Sequence, residues 1–202
     1  MSGATILSLI KPKMVNAWPE GWGDARLPVY FVQLPGLNRD WELFREMQLE
    51  ISQTVSDVGM AVAIDVGHPN NVHPVDKKPV GDRLARLALA RTYRLEIVAS
   101  GPSPTGIEFG NGQAKVVFDQ QLEIGDGDLV KGFVMAGSDR EFMPATGLIQ
   151  GKSVILRSDI NGPIKAVRYS WDNDPEGSLR NKEGLPVGPF RSDQWPVPSA
   201  GK

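Results

Sequence analysis

Both histidines of the chain lie in one short loop, and histidine is the side chain best suited to move protons near neutral pH. They occur in residues 67–74, which read Gly-His-Pro-Asn-Asn-Val-His-Pro. The prolines that follow His68 and His73 restrict the backbone around each imidazole. Either ring is a reasonable general base in such a loop. A loop histidine that only hydrogen-bonds the backbone fits the same position equally well.

The same loop is a weak candidate for a metal site. The two histidines, taken with Asp65 or Asp76, match no zinc-ligand spacing, and no helical pair of histidines occurs. The chain contains no cysteine, which excludes thiolate ligands and disulfides. We therefore expect no metal and no cofactor.

Two apolar runs predict parallel strands that would position this loop. Residues 29–34 and 60–64 are almost continuously apolar, which is typical of strands buried on both faces. Ligands of open α/β sheets bind outside the carboxyl ends of the strands. Residues 34–38 follow the first run, and residues 65–75, with both histidines, follow the second. The two loops are thus expected at the same edge of the sheet.

A crossover helix is predicted between the two strands. Residues 40–55 carry an apolar stripe with helical spacing, and Asn38 or Asp40 can cap its start. Gln48 interrupts that stripe. Because a buried amide needs hydrogen-bond partners, Gln48 either ties the helix to a strand-end loop or lies at the rim of the stripe.

A second helix is predicted over residues 77–91, with Asp76 as its cap. The three arginines of this segment fall largely off the apolar stripe. A solvated face is the favoured interpretation of Arg83, Arg86 and Arg91.

After residue 94 the pattern changes to short β-type runs between glycine-rich turns, which predicts a small antiparallel β unit. The clearest runs are residues 115–118, 129–135, 153–157 and 164–171. Gly151 and Lys152 are expected to form a hairpin turn. We expect an α/β domain over residues 1–93, a β domain over 94–195 and a tail over 196–202. The linker at 93–99 lacks glycine and proline, so the two halves should pack together.

Composition excludes several classes of partner. The chain has 202 residues, 41% hydrophobic and 23% charged, with a formal net charge of −2, which is typical of a folded, water-soluble protein. The charges are interspersed, so neither nucleic acid nor a membrane surface is an expected partner. The apolar run 4–10 is too short to span a membrane and lacks the flanks of an export signal, and the compartment stays open.

Residues 72–85 resemble the last conserved block of the sialate O-acetylesterases, a family of SGNH hydrolases. They read Val-His-Pro-Val-Asp-Lys-Lys-Pro-Val-Gly-Asp-Arg-Leu-Ala. Further segments resemble the family's strands, helix and C-terminal β region, namely residues 31–34, 45–48, 60–65, 132–137, 167–171 and 181–195. The resemblance covers nearly the whole chain and implies the C-terminal portion of a three-layer α/β hydrolase domain followed by a small antiparallel β domain.

The resemblance also implies roles for individual residues. His73 would be the general base, and Asn71 stands where the family carries an acid about two residues earlier. An amide can orient an imidazole but cannot stabilise imidazolium by charge. Either Asp65 or Asp76 replaces the acid, or asparagine suffices, as it does in papain-like enzymes. Substrate-binding roles are implied for Gln33, Arg45 and Gln48.

The family's nucleophile motif, of the Gly-Gln-Ser-Asn type, and its oxyanion motif, of the Trp-Tyr-Gln-Gly-Glu type, do not occur in this sequence. None of the serines, among them Ser8, Ser52, Ser56 and Ser100, lies in a matching strand-to-helix setting. The sequence therefore predicts a carbohydrate O-acetylesterase whose serine segment is missing, and a chain that is inactive alone.

The expected partners are an O-acetylated carbohydrate and, at an open apolar sheet edge, either a second copy of the chain or a missing N-terminal half. The alternative is a non-catalytic glycan-binding or interaction fragment that stacks sugars on Tyr169, Trp171 and Trp195.

Overall fold

The computed structural model describes Lys13, Val15 and residues 17–24, 27–73, 75–125 and 129–197. Ser8, Pro74, the apolar run 4–10 and the end of the predicted tail, 198–202, lie outside these residues. Among the residues described, no helix has the length and apolar character needed to cross a membrane.

Two parallel strands form the sheet of the first half. Strand β1 is Val29–Val32 and strand β2 is Val58–Ala61, paired in register from Val29 with Val58 to Val32 with Ala61. The predicted second strand was displaced toward the C-terminus. The apolar run in the sequence extends beyond the end of β2 because Ala63 and Ile64 are also buried. These two residues are not part of the strand, since a short 3-10 helix, Ile64–Val66, begins there.

Helix α1, Glu42–Thr54, connects the two strands as predicted. Its Met47 and Ile51 side chains are buried against Val29 and Val58 of the sheet, which accounts for the apolar stripe. The predicted caps are wrong, because Trp41 holds the N-cap position and makes no side-chain capping bond.

Helix α2 is Lys78–Leu87 and continues as a π-helical turn over Ala88–Thr92. Asp76 accepts a hydrogen bond from the Lys78 amide at 3.0 Å, although Lys77 holds the N-cap position. The helix contacts both strands.

The solvated face predicted for the arginines of this segment is wrong for Arg83, whereas Arg86 is half-buried and Arg91 is exposed as predicted. Arg83 is buried and forms a bidentate pair with Asp65, at 2.7 and 2.5 Å. Arg86 donates to the Val98 carbonyl, and Arg91 donates to the Val58 carbonyl. Each guanidinium reaches a carbonyl or carboxylate beyond its own helix, because an arginine side chain is long enough to cross the rim of an apolar stripe.

The second half of the chain is built from antiparallel strands. One sheet contains β3 (Pro104–Phe109), β4 (Gln113–Phe118), β8 (Thr146–Gln150) and β9 (Ser153–Arg157). Its spatial order is β3-β4-β9-β8. The other sheet contains β6 (Phe133–Ala136), β7 (Phe142–Pro144), β10 (Ala166–Tyr169) and β12 (Phe190–Arg191). Its spatial order is β12-β10-β6-β7. A separate pair joins β5, Glu123–Ile124, to β11, Leu179–Arg180. The predicted hairpin is confirmed, since Gly151 has a φ of 61° between β8 and β9.

The two four-stranded sheets share one core. It contains Phe118 and Leu156 from one sheet and Met135 and Tyr169 from the other, all almost fully buried. Burial raises the pKa of Tyr169 to about 12, and its hydroxyl accepts a hydrogen bond from the Leu179 amide at 2.9 Å. Tyr169 is therefore a core residue and not a surface for sugar stacking.

Candidate active site

Three loops meet at the carboxyl end of the parallel strands. The His68 amide donates to the Gly36 carbonyl at 3.1 Å, and the Asn38 amide donates to the Pro69 carbonyl at 2.9 Å. The Leu37 amide donates to the Asn173 carbonyl at 3.1 Å. The loops after β1 and β2 are thus fixed to each other, and a loop of the β half is fixed to both.

Glycine makes this contact between loops close enough for backbone to touch backbone. A Cβ atom on Gly67 would lie 2.6 Å from the Gly36 Cα atom, and one on Gly36 would lie 2.6 Å from Asp174 Oδ1. Real Cβ atoms do not approach backbone so closely, so a side chain on Gly67 would force the loops apart, whereas the Asp174 carboxylate could move away from one on Gly36. The position of the histidine loop therefore depends on Gly67.

Arg45 of helix α1 connects the same loops. Its side chain is fully buried, and it donates to the carbonyls of Leu34 at 3.1 Å and Pro35 at 2.7 Å. It also donates to the carbonyls of Asp172 at 2.6 Å and Asn173 at 2.8 Å. The expected contact between Arg45 and a substrate does not fit this burial, because backbone carbonyls occupy four of its five N–H donors. The geometry makes Arg45 a positioning residue.

The two glutamines expected to bind substrate are also buried. Gln48 Nε2 donates to the Val32 carbonyl at 3.1 Å, and Gln48 Oε1 accepts from the Leu34 amide at 2.9 Å. The first interpretation of Gln48, a tie between helix and strand end, is confirmed. Gln33 is fully buried, and within the described part of the chain its side-chain amide has no hydrogen-bond partner. Neither amide reaches solvent, where a sugar would lie.

The two histidines are exposed to solvent. Asn71 Oδ1 accepts from the backbone amide of His73 at 2.9 Å, and His68 Nδ1 accepts from the Asn70 amide at 3.1 Å. The His68 ring therefore has one nitrogen occupied by a hydrogen bond within its own turn. The described residues give the His73 ring no hydrogen-bond partner. Within the described part of the chain, the His73 ring thus differs from that of His68 in having both nitrogens without a hydrogen-bond partner.

The two carboxylates considered as replacements for the missing acid have partners of their own. Asp65 is engaged by Arg83, and Asp76 accepts from the Lys78 amide. Asn71 is nearer to His73, but its oxygen holds the backbone of the turn and not the imidazole. The structure thus brings Asn71 and His73 together without an acid on the ring.

No described serine hydroxyl is hydrogen-bonded to either histidine ring. Ser52 donates to the Leu49 carbonyl within α1, and Ser56 lies beside Val58 at the amino end of β2. Grouping of three or more potential metal ligands does not occur within the ranges described above.

The fold resembles that of a known carbohydrate acetylesterase. A crystal structure of that enzyme, from Xanthomonas citri, superposes with a TM-score of 0.90 at 37% sequence identity. The match covers 96% of this chain and 48% of the neighbour's chain, so this chain spans about half the length of the neighbour. No family model and no curated protein matches the sequence. The α/β half and the β half are therefore both shared with a carbohydrate acetylesterase.

Sequence reasoning missed the loop that the β half contributes to the site. Asp172 and Asn173 belong to no motif, yet both of their carbonyls accept from Arg45, and that of Asn173 also accepts from the Leu37 amide. Such contacts are made by backbone oxygens, which every residue has. The sequence signal that could have indicated these backbone contacts was Arg45, an arginine that falls within the apolar stripe of α1.

Proposed function

We propose that this chain supplies the histidine side of the active site of a carbohydrate O-acetylesterase, with His73 as the general base. The observation that most directly supports this proposal is the match to the Xanthomonas citri enzyme over almost the whole chain. The exposed histidine loop at the carboxyl end of the parallel strands, where α/β enzymes bind ligands, is consistent with it.

In the proposed reaction a serine from outside this sequence attacks the acetyl carbon of a sugar ester. His73 accepts the serine proton and gives it to the sugar oxygen as the bond from that oxygen to the acetyl carbon breaks, so that the sugar leaves with a free hydroxyl and the serine is acetylated. Water then attacks the acetyl carbon and passes its proton through His73 to the serine, and acetate is released. Asn71 shapes the turn that presents His73.

The finer part of the proposal concerns the sugar. The resemblance in sequence is to sialate O-acetylesterases, whereas the neighbour's name specifies only a carbohydrate. A comparison of 9-O-acetyl sialic acid with acetylated xylo-oligosaccharides as substrates would decide between a sialate-type enzyme and one that acts on a neutral glycan.

The alternative, a glycan-binding fragment that uses surface tryptophans, is less well supported. The Arg191 guanidinium lies 4.9 Å from the centre of the Trp171 ring, and that of Arg140 lies 5.3 Å from the centre of the Trp195 ring. These rings already pack against cations of the same half.

The test is reconstitution. The part of the neighbour's chain that this chain does not cover is supplied as a fusion or a co-expressed polypeptide, and hydrolysis of 4-nitrophenyl acetate is measured. We expect activity that His73→Ala abolishes and that His68→Ala largely retains. Asn71→Asp should raise turnover, because a carboxylate stabilises imidazolium and can still accept from the His73 amide.

Full activity without His73, or equal loss without His68, would show that the wrong histidine has been assigned. Labelling of a serine in the unreconstituted chain by a fluorophosphonate would show that the nucleophile lies within this sequence.

A further inference from the structure

A cleft of about 480 Å³ separates the histidine loop from the β half. Ile64, Gly67 and Pro69 line it on the side of the parallel sheet, and residues 174–180 line the opposite side. The cleft therefore begins at the loop that carries the proposed base.

The far wall of the cleft is held rigidly in place. Arg45 fixes the carbonyls of residues 172 and 173, immediately before this wall. A Cβ atom on Gly177 would lie 2.7 Å from the Tyr169 hydroxyl oxygen, and the Leu179 amide donates to that same hydroxyl. A ligand would thus meet a preformed surface, and the entropy cost of ordering it would be small.

The charged groups of the cleft are balanced. Asp65 is neutralised by Arg83, which leaves two acids and two bases among the lining residues, namely Asp174, Glu176, Lys131 and Arg180. Lys131 lies 4.0 Å from Glu176, and both side chains are more than half exposed. No excess of positive charge favours a carboxylate or phosphate ligand. Closely spaced donors and acceptors instead suit a neutral ligand with several hydroxyl groups.

We propose that this cleft is a subsite for a neutral sugar residue linked to the acetylated one, with Arg180 and Lys131 as donors and Asp174 as acceptor to its hydroxyls. The inference rests on the proposed function for the identity of the linked, acetylated sugar. It adds that the β half takes part in choosing the glycan.

Binding is tested on the chain itself by NMR, with xylotetraose and lactose as neutral probes and N-acetylneuraminic acid as the acidic probe. We expect amide shifts at residues 131, 174 and 176–180 with at least one neutral probe, and smaller shifts with the acidic sugar. Lys131→Ala and Arg180→Gln should each weaken binding by about tenfold, the effect of one lost hydrogen bond to a charged group. Lys115→Ala, which removes an exposed lysine paired with Glu108 on another surface, should leave binding unchanged.

Absence of shifts in this cleft with both neutral probes, or equal shifts with the acidic sugar, would overturn the proposal. If Arg180→Gln unfolds the chain, the exposed Lys131 keeps the test decisive. In a reconstituted enzyme, Lys131→Ala should lower kcat/KM for an acetylated oligosaccharide and leave that for 4-nitrophenyl acetate unchanged. Sugar binding without esterase activity would refute only the proposed function, whereas esterase activity without sugar binding would refute only the subsite.

Discussion

At the scale of single residues, Arg45 shows how one buried charge can organise several loops. Burial lowers the pKa of Arg45 from its ordinary value, and the nearby carboxylates of Glu42, Asp172 and Asp174 oppose that shift. The guanidinium has five donors in a fixed plane, so it can bind carbonyls on either side at once. Four of its hydrogen bonds go to carbonyls that come from two separate segments of the chain.

We expect Arg45→Ala to lower the free energy of unfolding by about 3–5 kcal/mol, because it leaves buried carbonyls without donors. Arg45→Lys should recover only a small part, since an ammonium group cannot reach both segments. Urea unfolding followed by tryptophan fluorescence measures both effects. Arg157→Ala, at an exposed arginine on β9, is the matched control and should change stability by less than about 0.5 kcal/mol. A similar loss at both positions would contradict the role given to Arg45.

What the sequence could reveal at this scale depended on the kind of partner. For Gln48 the tie to the strand end was one of two interpretations that the sequence left open, because an amide within an apolar stripe must either find partners or lie at the rim. The burial of Arg83 was not predictable, since its partner Asp65 lies 18 residues away and an arginine at the edge of a stripe resembles any solvated one. The family pattern indicated Arg45 and Gln33 as important residues, but a pattern of residue types does not distinguish a side chain that touches substrate from one that supports a loop.

At the scale of elements, the close contact of two loops is the feature that positions the histidines. Gly67 touches the backbone of Gly36, and the His68 amide reports on the contact because it donates to the Gly36 carbonyl. The parallel strands and helices α1 and α2 were predictable from apolar periodicity, whereas the helical residues 17–22 were not predicted. Strands β5, β11 and β12 were not predictable, because two residues are too few to show an alternating pattern.

We expect Gly67→Ala to separate the two loops and to increase hydrogen exchange at the His68 amide by at least about tenfold, which corresponds to a loss of about 1.4 kcal/mol in local stability. Gly81→Ala is the matched control. Nothing lies within 4 Å of a Cβ atom at position 81, so alanine there should stabilise helix α2 by up to about 1 kcal/mol. Unchanged exchange at His68 in Gly67→Ala would contradict the close contact.

At the scale of the whole molecule, an ion pair connects the two halves and belongs to a larger network in the β half. Arg191 of β12 makes a bidentate pair with Glu46 of α1, at 2.9 and 3.0 Å, and its guanidinium also lies 3.6 Å from Asp193. Asp193 in turn accepts two hydrogen bonds from Arg168, both at 2.8 Å. The predicted packing of one half on the other is seen in the pair of Arg191 with Glu46, two residues that no pattern in the sequence connects.

Acid should weaken this network. Burial alone would raise the pKa of Asp193, but the hydrogen bonds and charge of Arg168, with smaller effects from the Trp195 amide and Arg191, bring it below its ordinary value of 3.8. A carboxyl whose pKa is lower in the folded state stabilises the fold above its ordinary pKa and loses that contribution as pH falls through the lowered value. We therefore expect stability to decrease below about pH 4.

Urea unfolding at pH 7 and pH 3 measures the effect. Asp193→Asn should cost about 3–5 kcal/mol at pH 7, because two arginines lose a buried partner, and should reduce the difference between the two pH values. If the variant keeps the same difference, other carboxylates control the acid response.

The amide of Gln48 sets a limit on how far the parallel sheet can be extended. The Val29 and Gln33 amides donate to carbonyls of the β2 segment, so Tyr30, Val32 and Leu34 direct their backbone groups to the opposite edge of β1. On that edge Gln48 takes the Val32 carbonyl and the Leu34 amide, the two groups that one residue of an adjoining parallel strand would bind. The Gln48 side chain thus occupies the last pair of backbone hydrogen-bonding groups on this edge of β1. Any strand that joins this edge, from a second copy or from another polypeptide, must end its pairing before Val32 and Leu34, which limits the length of the ladder that it can form.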